Sequence, residues 1–290
     1  ILWMQQFSPA LDGIMKAFTF MGTIEFYMLF LTFLYWVVDP KLGIRVFFVL
    51  LLTDVISATS KILLHNPRPY WVGDVKALSK EHSYGLPSSH SSDSIAVWTT
   101  IGYQLKKRWV WVVAIVIFLF ISFSRMFLGV HFPQDLLLGW AIGLIVVFLF
   151  ARFGERIGAW FSKLSLPTQI LYSFLLSLGF ALAGVLAKAI AAPAVDPAAW
   201  AHLSEEAREL SGHFTLAGAS FGSILGYILM KKSASFSAQG ELWQKAARYV
   251  LGIVGVIIIL YGLDPLFGMI AEDETVIGYI LRYIRYGAAS

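Results

Sequence analysis

Apolar residues do not alternate with polar ones along this chain; they run on in long blocks. A helix needs about 20 mainly apolar residues to cross the hydrocarbon layer of a bilayer. Blocks near that length recur at 18–38, 43–64, 88–105, 109–128, 134–153, 168–190, 213–230, 247–264 and 274–287. They predict nine transmembrane helices and an all-α, polytopic membrane helix bundle. The last block carries Arg282 and Arg285 and reads as an amphipathic or shortened helix. Ahead of the first block, residues 1–17 predict a short interfacial helix with Trp3, Phe7 and Lys16 as anchors. We expect one integral membrane domain in which 18–153 form the core and 154–290 add accessory spans.

Composition agrees with that pattern. The 290 residues are 58% hydrophobic and 14% charged, against about 25% charged in a soluble domain. No cysteine is present, which excludes disulfides and thiolate metal sites. Neither a nucleic-acid partner nor a cofactor is expected, and no metal site; the sequence leaves the oligomeric state open. Ile1 at the start and the ending "YIRYGAAS" lead us to expect a chain that continues beyond both ends.

The net charge of +4 is small, but its distribution is informative. Nine spans alternate the loops between two faces. One face receives Lys41, Arg45, Lys106, Lys107, Arg108, Arg152, Arg156, Lys163, Lys231, Lys232, Lys245, Arg248, Arg282 and Arg285, which is 14 of the 22 basic residues. Most loop acids, among them Glu205, Glu206, Glu209, Glu272, Asp273 and Glu274, fall on the other. By the positive-inside rule the basic face is cytoplasmic. The N-terminus is then expected outside and the C-terminus inside.

Two polar segments fall together on the outer face, separated by one pair of spans. The first, residues 61–90, holds Lys61, Arg68, Ser88, Ser89 and His90; the second, "SRMFLGVHFPQD", holds Arg125, His131 and Asp135. Three cations around one point suit a phosphate, with arginine offering a planar fork and lysine a point charge. The "PSSH" segment opens a helix, whose free N–H groups and serine hydroxyls form an anion seat. A neutral His131 can attack phosphorus while Asp135 fixes its tautomer. His90 can protonate the departing alkoxide and then activate water.

At these residues the chain resembles the type-2 phosphatidic acid phosphatase superfamily. Its signature K-x6-RP, PSGH and SR-x5-H-x3-D is matched by Lys61, Arg68 and Pro69; by Pro87, Ser88 and His90; and by Ser124, Arg125, His131 and Asp135. Ser89 stands where the family has glycine. "YGLPSSH" is similar to sphingosine-1-phosphate phosphatases, and "RPYW" with "HFPQD" to glucose-6-phosphatases. The resemblance implies a metal-independent phosphatase with a phosphohistidine intermediate, no cofactor, and a site facing the periplasm, exterior or lumen. A lipid phosphate is the expected substrate, with membrane lipids as surroundings. Polyprenyl diphosphates and soluble sugar phosphates are the alternatives.

Other polar or small residues receive plainer readings. "LSGHF" at 210–214 echoes the phosphatase motif without its proline and is read as a helix cap. Gly218, Gly222 and Gly226 recur every four residues, which suits close helix packing within the bundle. Trp71, Trp109 and Trp111 read as interfacial belt residues, with Tyr70 and Trp71 also placed to line a substrate entrance. Intramembrane carboxylates are costly and usually functional. Glu25 and Asp54 are therefore expected to pair with Lys61 or line the cavity, and Asp93, three residues after His90, to share its helix face.

Overall fold

All nine apolar blocks are helical, as backbone in hydrocarbon must be, because no water is present to satisfy its N–H and C=O groups. The computed structural model describes residues 1–233 and 236–290. Among these, α1 spans Leu2–Gln5, α2 Asp12–Phe20 and α3 Ile24–Phe33, the last continued by a π turn at Leu34–Val38. Then follow α4 (Pro40–Leu64), α5 (Pro69–Val72), α6 (Ser89–Leu105), α7 (Arg108–Phe127), α8 (Pro133–Phe161), α9 (Leu166–Ala191), α10 (Ser211–Ser233), α11 (Leu242–Gly268) and α12 (Val276–Ala289). Two short 3-10 turns, Ala201–Leu203 and Glu205–Arg208, lie between α9 and α10.

The number of spans departs from the expected nine. Among the described residues, six helices are long and apolar enough to cross a membrane, or seven if α2 and α3 with its π turn, which meet at a 54° bend, count as one span. The interfacial helix expected at 1–17 is instead two pieces, α1 and the start of α2, joined by a turn at 6–11. Two further blocks fall short for physical reasons. α12 has 14 residues and carries two arginines. α6 has 17 residues and opens on Ser-His-Ser-Ser-Asp, with Ser91 to Trp98 all buried. A helix enclosed by protein needs neither full span length nor an apolar surface.

The chain divides into two compact units. The first comprises Ile1–Met28, Arg45–Ala151 and Ala187–Arg208 and contains the whole expected core chemistry. Its α6 lies against α4 and α8. Ser57 of α4 hydrogen-bonds Ser92 of α6 at 2.8 Å. On α8, Gly139 and Gly143 admit α6 so closely that an added Cβ would stand 2.7 Å from the Ser88 carbonyl oxygen and 2.5 Å from that of Ser92. The α7–α8 turn is made tight by Gly129, whose φ of +79° suits glycine. Gln5 fastens this turn to the loop above it, donating to the Lys76 and Phe127 carbonyls at 2.8 and 3.0 Å and accepting from Lys76 N–H.

In the second unit, α10 packs on α12 through the predicted glycine stripe. A Cβ at Gly218 or Gly222 would collide with the backbone of Tyr283 or Gly287. This is packing within the bundle, as expected. "LSGHF" opens α10, and its His213 is buried with its ring against Gly184 of α9.

Candidate active site

α4 delivers Lys61 on its last turn and ends at His65, whose φ of +50° turns the chain aside. The following Pro67 and Pro69 hold the chain extended, since a residue before proline avoids the helical region. Arg68 then sits at the N-cap of α5. Its guanidinium is 1% exposed and fully engaged. Nε donates to Ser83 O at 2.6 Å, Nη2 to Ser83 Oγ at 3.0 Å and Tyr84 O at 3.2 Å, and Nη1 to Val130 O at 3.0 Å.

The same Nη1 lies 3.2 Å from His131 Nε2. Arginine has only donors, so Nε2 must accept, and the imidazole proton resides on Nδ1. There it meets Asp135 Oδ2 at 3.2 Å, an oxygen that also takes the Phe132 N–H at 2.9 Å. Burial first, then Arg68, Lys61 and Arg125, push the His131 pKa well below its usual value. The ring is therefore neutral, with its lone pair on the atom facing Arg68.

The remaining predicted residues divide. Lys61 lies 2.9 Å from the Tyr84 carbonyl and lines a cavity of about 270 Å³ with Arg68, Ser89, His90 and His131. His90 Nε2 is buried with no hydrogen-bond partner. Ser88 does not line this cavity; it is fully buried as the N-cap of α6, its hydroxyl accepting from Ser91 N–H and its own N–H donating to Asp135 O at 3.0 Å. Of the two serines, Ser89 alone lines the cavity. Asp93 and His90 line the same cavity, but no hydrogen bond joins them. Glu25 and Asp54 line it too, so cations, imidazoles and carboxylates all contribute to its wall.

Arg125 differs most from expectation. It is 1% exposed, donates to Thr19 Oγ1 at 2.5 Å, and forms an ion pair with Glu81, which also stands 4.0 Å from Arg68. Burial alone would raise the Glu81 pKa, but Arg125, Arg68 and His90 outweigh it and hold the carboxyl at about 2. The loop thus sets a carboxylate against two of the three cations. The available signal was a lone glutamate inside the motif-bearing loop, nine residues before His90.

Trp71 also departs from its expected place in a lipid-facing belt. It is 6% exposed and packs on Trp200 with ring centroids 5.5 Å apart. Neither it nor Tyr70 lines the cavity; the Tyr70 hydroxyl instead donates to the Glu81 carbonyl at 3.0 Å. Trp109 is 64% exposed, as a belt residue should be.

Residues 42–159 match the PAP2 superfamily, and residues 214–290 match the PAP2 superfamily phosphatase, transmembrane extension. The chain thus carries a PAP2 superfamily domain followed by a PAP2 transmembrane extension. It is 37% identical to phosphatidylglycerophosphatase B of Bacillus subtilis over 29% of this chain and 46% of that one. It is 31% identical to human sphingosine-1-phosphate phosphatase 2 over 44% of this chain and 34% of that one. An undecaprenyl-diphosphatase of Sulfolobus acidocaldarius is 29% identical over 38% and 53%. The chain spans about half the length, or less, of these curated relatives. The crystal structure of a transmembrane PAP2 phosphatidylglycerolphosphate phosphatase from Bacillus subtilis is similar at 28% identity and a TM-score of 0.45, over 52% of this chain and 79% of that one.

Proposed function

We propose that this integral membrane protein is a metal-independent phosphomonoesterase that dephosphorylates a lipid phosphate at the extracytoplasmic face. The observation that carries the reading is the His131 ring, held between Asp135 and Arg68 with its proton on Nδ1 and its lone pair on Nε2. In the proposed reaction Nε2 attacks phosphorus and the P–O bond to the lipid alcohol breaks. Asp135 stabilises the cation that develops on the imidazole. His90 gives its proton to the departing alkoxide, then takes one from the water that cleaves the N–P bond. Inorganic phosphate leaves, and both histidines return to their starting states. Lys61, Arg68, Arg125 and the N–H of Ser89 stabilise charge on the equatorial oxygens, with the serine hydroxyl beside them.

Three things support a lipid and an outer face. The alternation expected from the sequence puts most basic loops on the face opposite the motifs, and relatives are named as a phosphatidylglycerophosphatase and a sphingosine-1-phosphate phosphatase. Ile24, 67% exposed, lines the cavity, so an apolar residue open to the surroundings stands at its edge. The similarity to an undecaprenyl-diphosphatase favours a second reading, a polyprenyl diphosphate substrate.

The deciding experiment compares kcat/KM for a long-chain lipid phosphate in mixed micelles, a polyprenyl diphosphate and glucose 6-phosphate. Remote apolar binding energy should raise kcat/KM for the lipid. Equal or better turnover of the sugar phosphate would refute the lipid reading. A preference for the diphosphate would select the second. EDTA should leave the rate unchanged.

A further inference from the structure

Lys61 and Arg68 are both buried, and like charges so close repel unless something negative stands between them. That something is the carbonyl oxygen of Tyr84, which accepts from Lys61 Nζ at 2.9 Å and from Arg68 Nη2 at 3.2 Å. This one oxygen is therefore an acceptor shared by two cavity-lining cations, and its position helps orient both. Tyr84 lies in a loop, and loop backbone holds still only if something fastens it.

The fastening comes from the stretch 192–208, distant in sequence and absent from any motif. The Tyr84 side chain is fully buried between Trp71, Trp200 and His65. Its hydroxyl donates to Asp196 Oδ2 at 2.7 Å and accepts from Arg208 Nε at 2.8 Å. Asp196 also receives Ser204 Oγ at 2.7 Å and Arg208 Nη2 at 3.1 Å. Arg208 Nη2 donates in addition to the Ala194 carbonyl at 2.9 Å. The result is a closed polar ring around one phenol. Nothing in it touches the cavity, and its polar atoms are satisfied by one another.

We propose that Tyr84, Asp196 and Arg208 are positioning residues, which hold the Tyr84 carbonyl as the shared anchor of Lys61 and Arg68 and so set phosphate affinity. The stretch 192–208 is then a strap that braces the anion site from outside it. The inference rests on the proposed function only for the identity of the anion as phosphate.

Binding of inorganic phosphate, measured by calorimetry on the detergent-solubilised full chain, tests this without turnover. Tyr84→Phe removes the hydroxyl and keeps the ring; Asp196→Ala removes its partner; the double variant completes a cycle. Each single change should weaken phosphate binding by about tenfold, the scale of one hydrogen bond to a charged group. The double variant should be no weaker than the worse single one, because both act through one contact. KM for the substrate should rise in parallel, and Asp196→Asn, which keeps the shape, should recover part of the loss. Unchanged affinity in Tyr84→Phe, or losses that simply add, would overturn the proposal. If a variant lowers the melting temperature, the Tyr84→Phe and Asp196→Asn pair carries the comparison. Wild-type protein that binds phosphate through this ring but hydrolyses no lipid phosphate would refute the function and leave the strap standing. Wild-type protein that binds no phosphate would refute both.

Discussion

Glu81 pairs with Arg125 and stands 4.0 Å from Arg68, so a carboxylate of the site's own loop faces two of the cations a phosphate would need. With its pKa held at about 2, it stays ionised throughout the working range. A phosphate must therefore displace it. Glu81→Gln removes the competing charge and should tighten inhibition by inorganic phosphate about tenfold, the size of one charge-assisted contact. A weaker or unchanged inhibition constant would mean that Glu81 serves to aim Arg125.

The neutral state of His131 has a kinetic signature. Because burial and three cations lower its pKa, the acid limb of kcat/KM should lie well below the ordinary histidine value. Removing a cation makes protonation easier, so Lys61→Met should move that limb to higher pH. A limb that stays in place while activity falls would show that Lys61 does not bear on the nucleophile's charge.

Covalent catalysis predicts different fates for the two histidines. His131→Ala should abolish turnover and phosphate incorporation alike. His90→Ala should cut turnover by about a hundredfold or more, as loss of an acid–base group does, yet still label on His131 with a substrate whose leaving group needs no proton. Acid-labile phosphate should then be found in the His90 variant alone. Full activity in His131→Ala would end the assignment.

The orientation expected from the loop charges has a direct test. Lys76 and Lys107 are both exposed and sit in loops predicted to face opposite sides. Lys76→Cys should react with an impermeant maleimide applied from outside, and Lys107→Cys only after the membrane is opened. The reverse pattern would invert the topology.

The glycine stripe of α10 allows a graded test. A Cβ at Gly222 would collide with the Gly287 backbone, whereas one at Gly226 finds its nearest neighbour, Ser290 O, at 4.0 Å. Gly222→Ala should lower stability by about 1–3 kcal/mol, as overpacking does, and Gly226→Ala should not. Melting temperatures in one detergent decide it; equal values would remove the stripe from the α10–α12 contact.

What could be read in the sequence was what the bilayer or the reaction constrains directly. Apolar block length revealed helices, because a single segment of about 20 residues can satisfy its own backbone in hydrocarbon only as a helix. Lys61, Arg68, His90 and His131 were legible from spacing and do share one cavity. The span count was not, because enclosure by protein lets α6 be short and polar. Trp71 was misplaced since a tryptophan near a span end has the same sequence context whether it faces lipid or Trp200. Glu81, Tyr84 and Asp196 lie in irregular loops and Arg208 ends a single 3-10 turn, where no periodicity links a residue to its partner.

Arg68 spends its guanidinium on the Ser83, Tyr84 and Val130 backbone, on a serine hydroxyl and on His131. It is a fixture, tied to both polar loops at once and unable to follow a substrate about. A lysine there would keep the charge and lose the joinery. Attempts to re-aim this protein at a new head group should leave that corner alone and work on the stretch of wall that follows α2. There Thr23, Ile24 and Glu25 lie at the start of α3, at a bend that unlike the arginine has room to be redrawn.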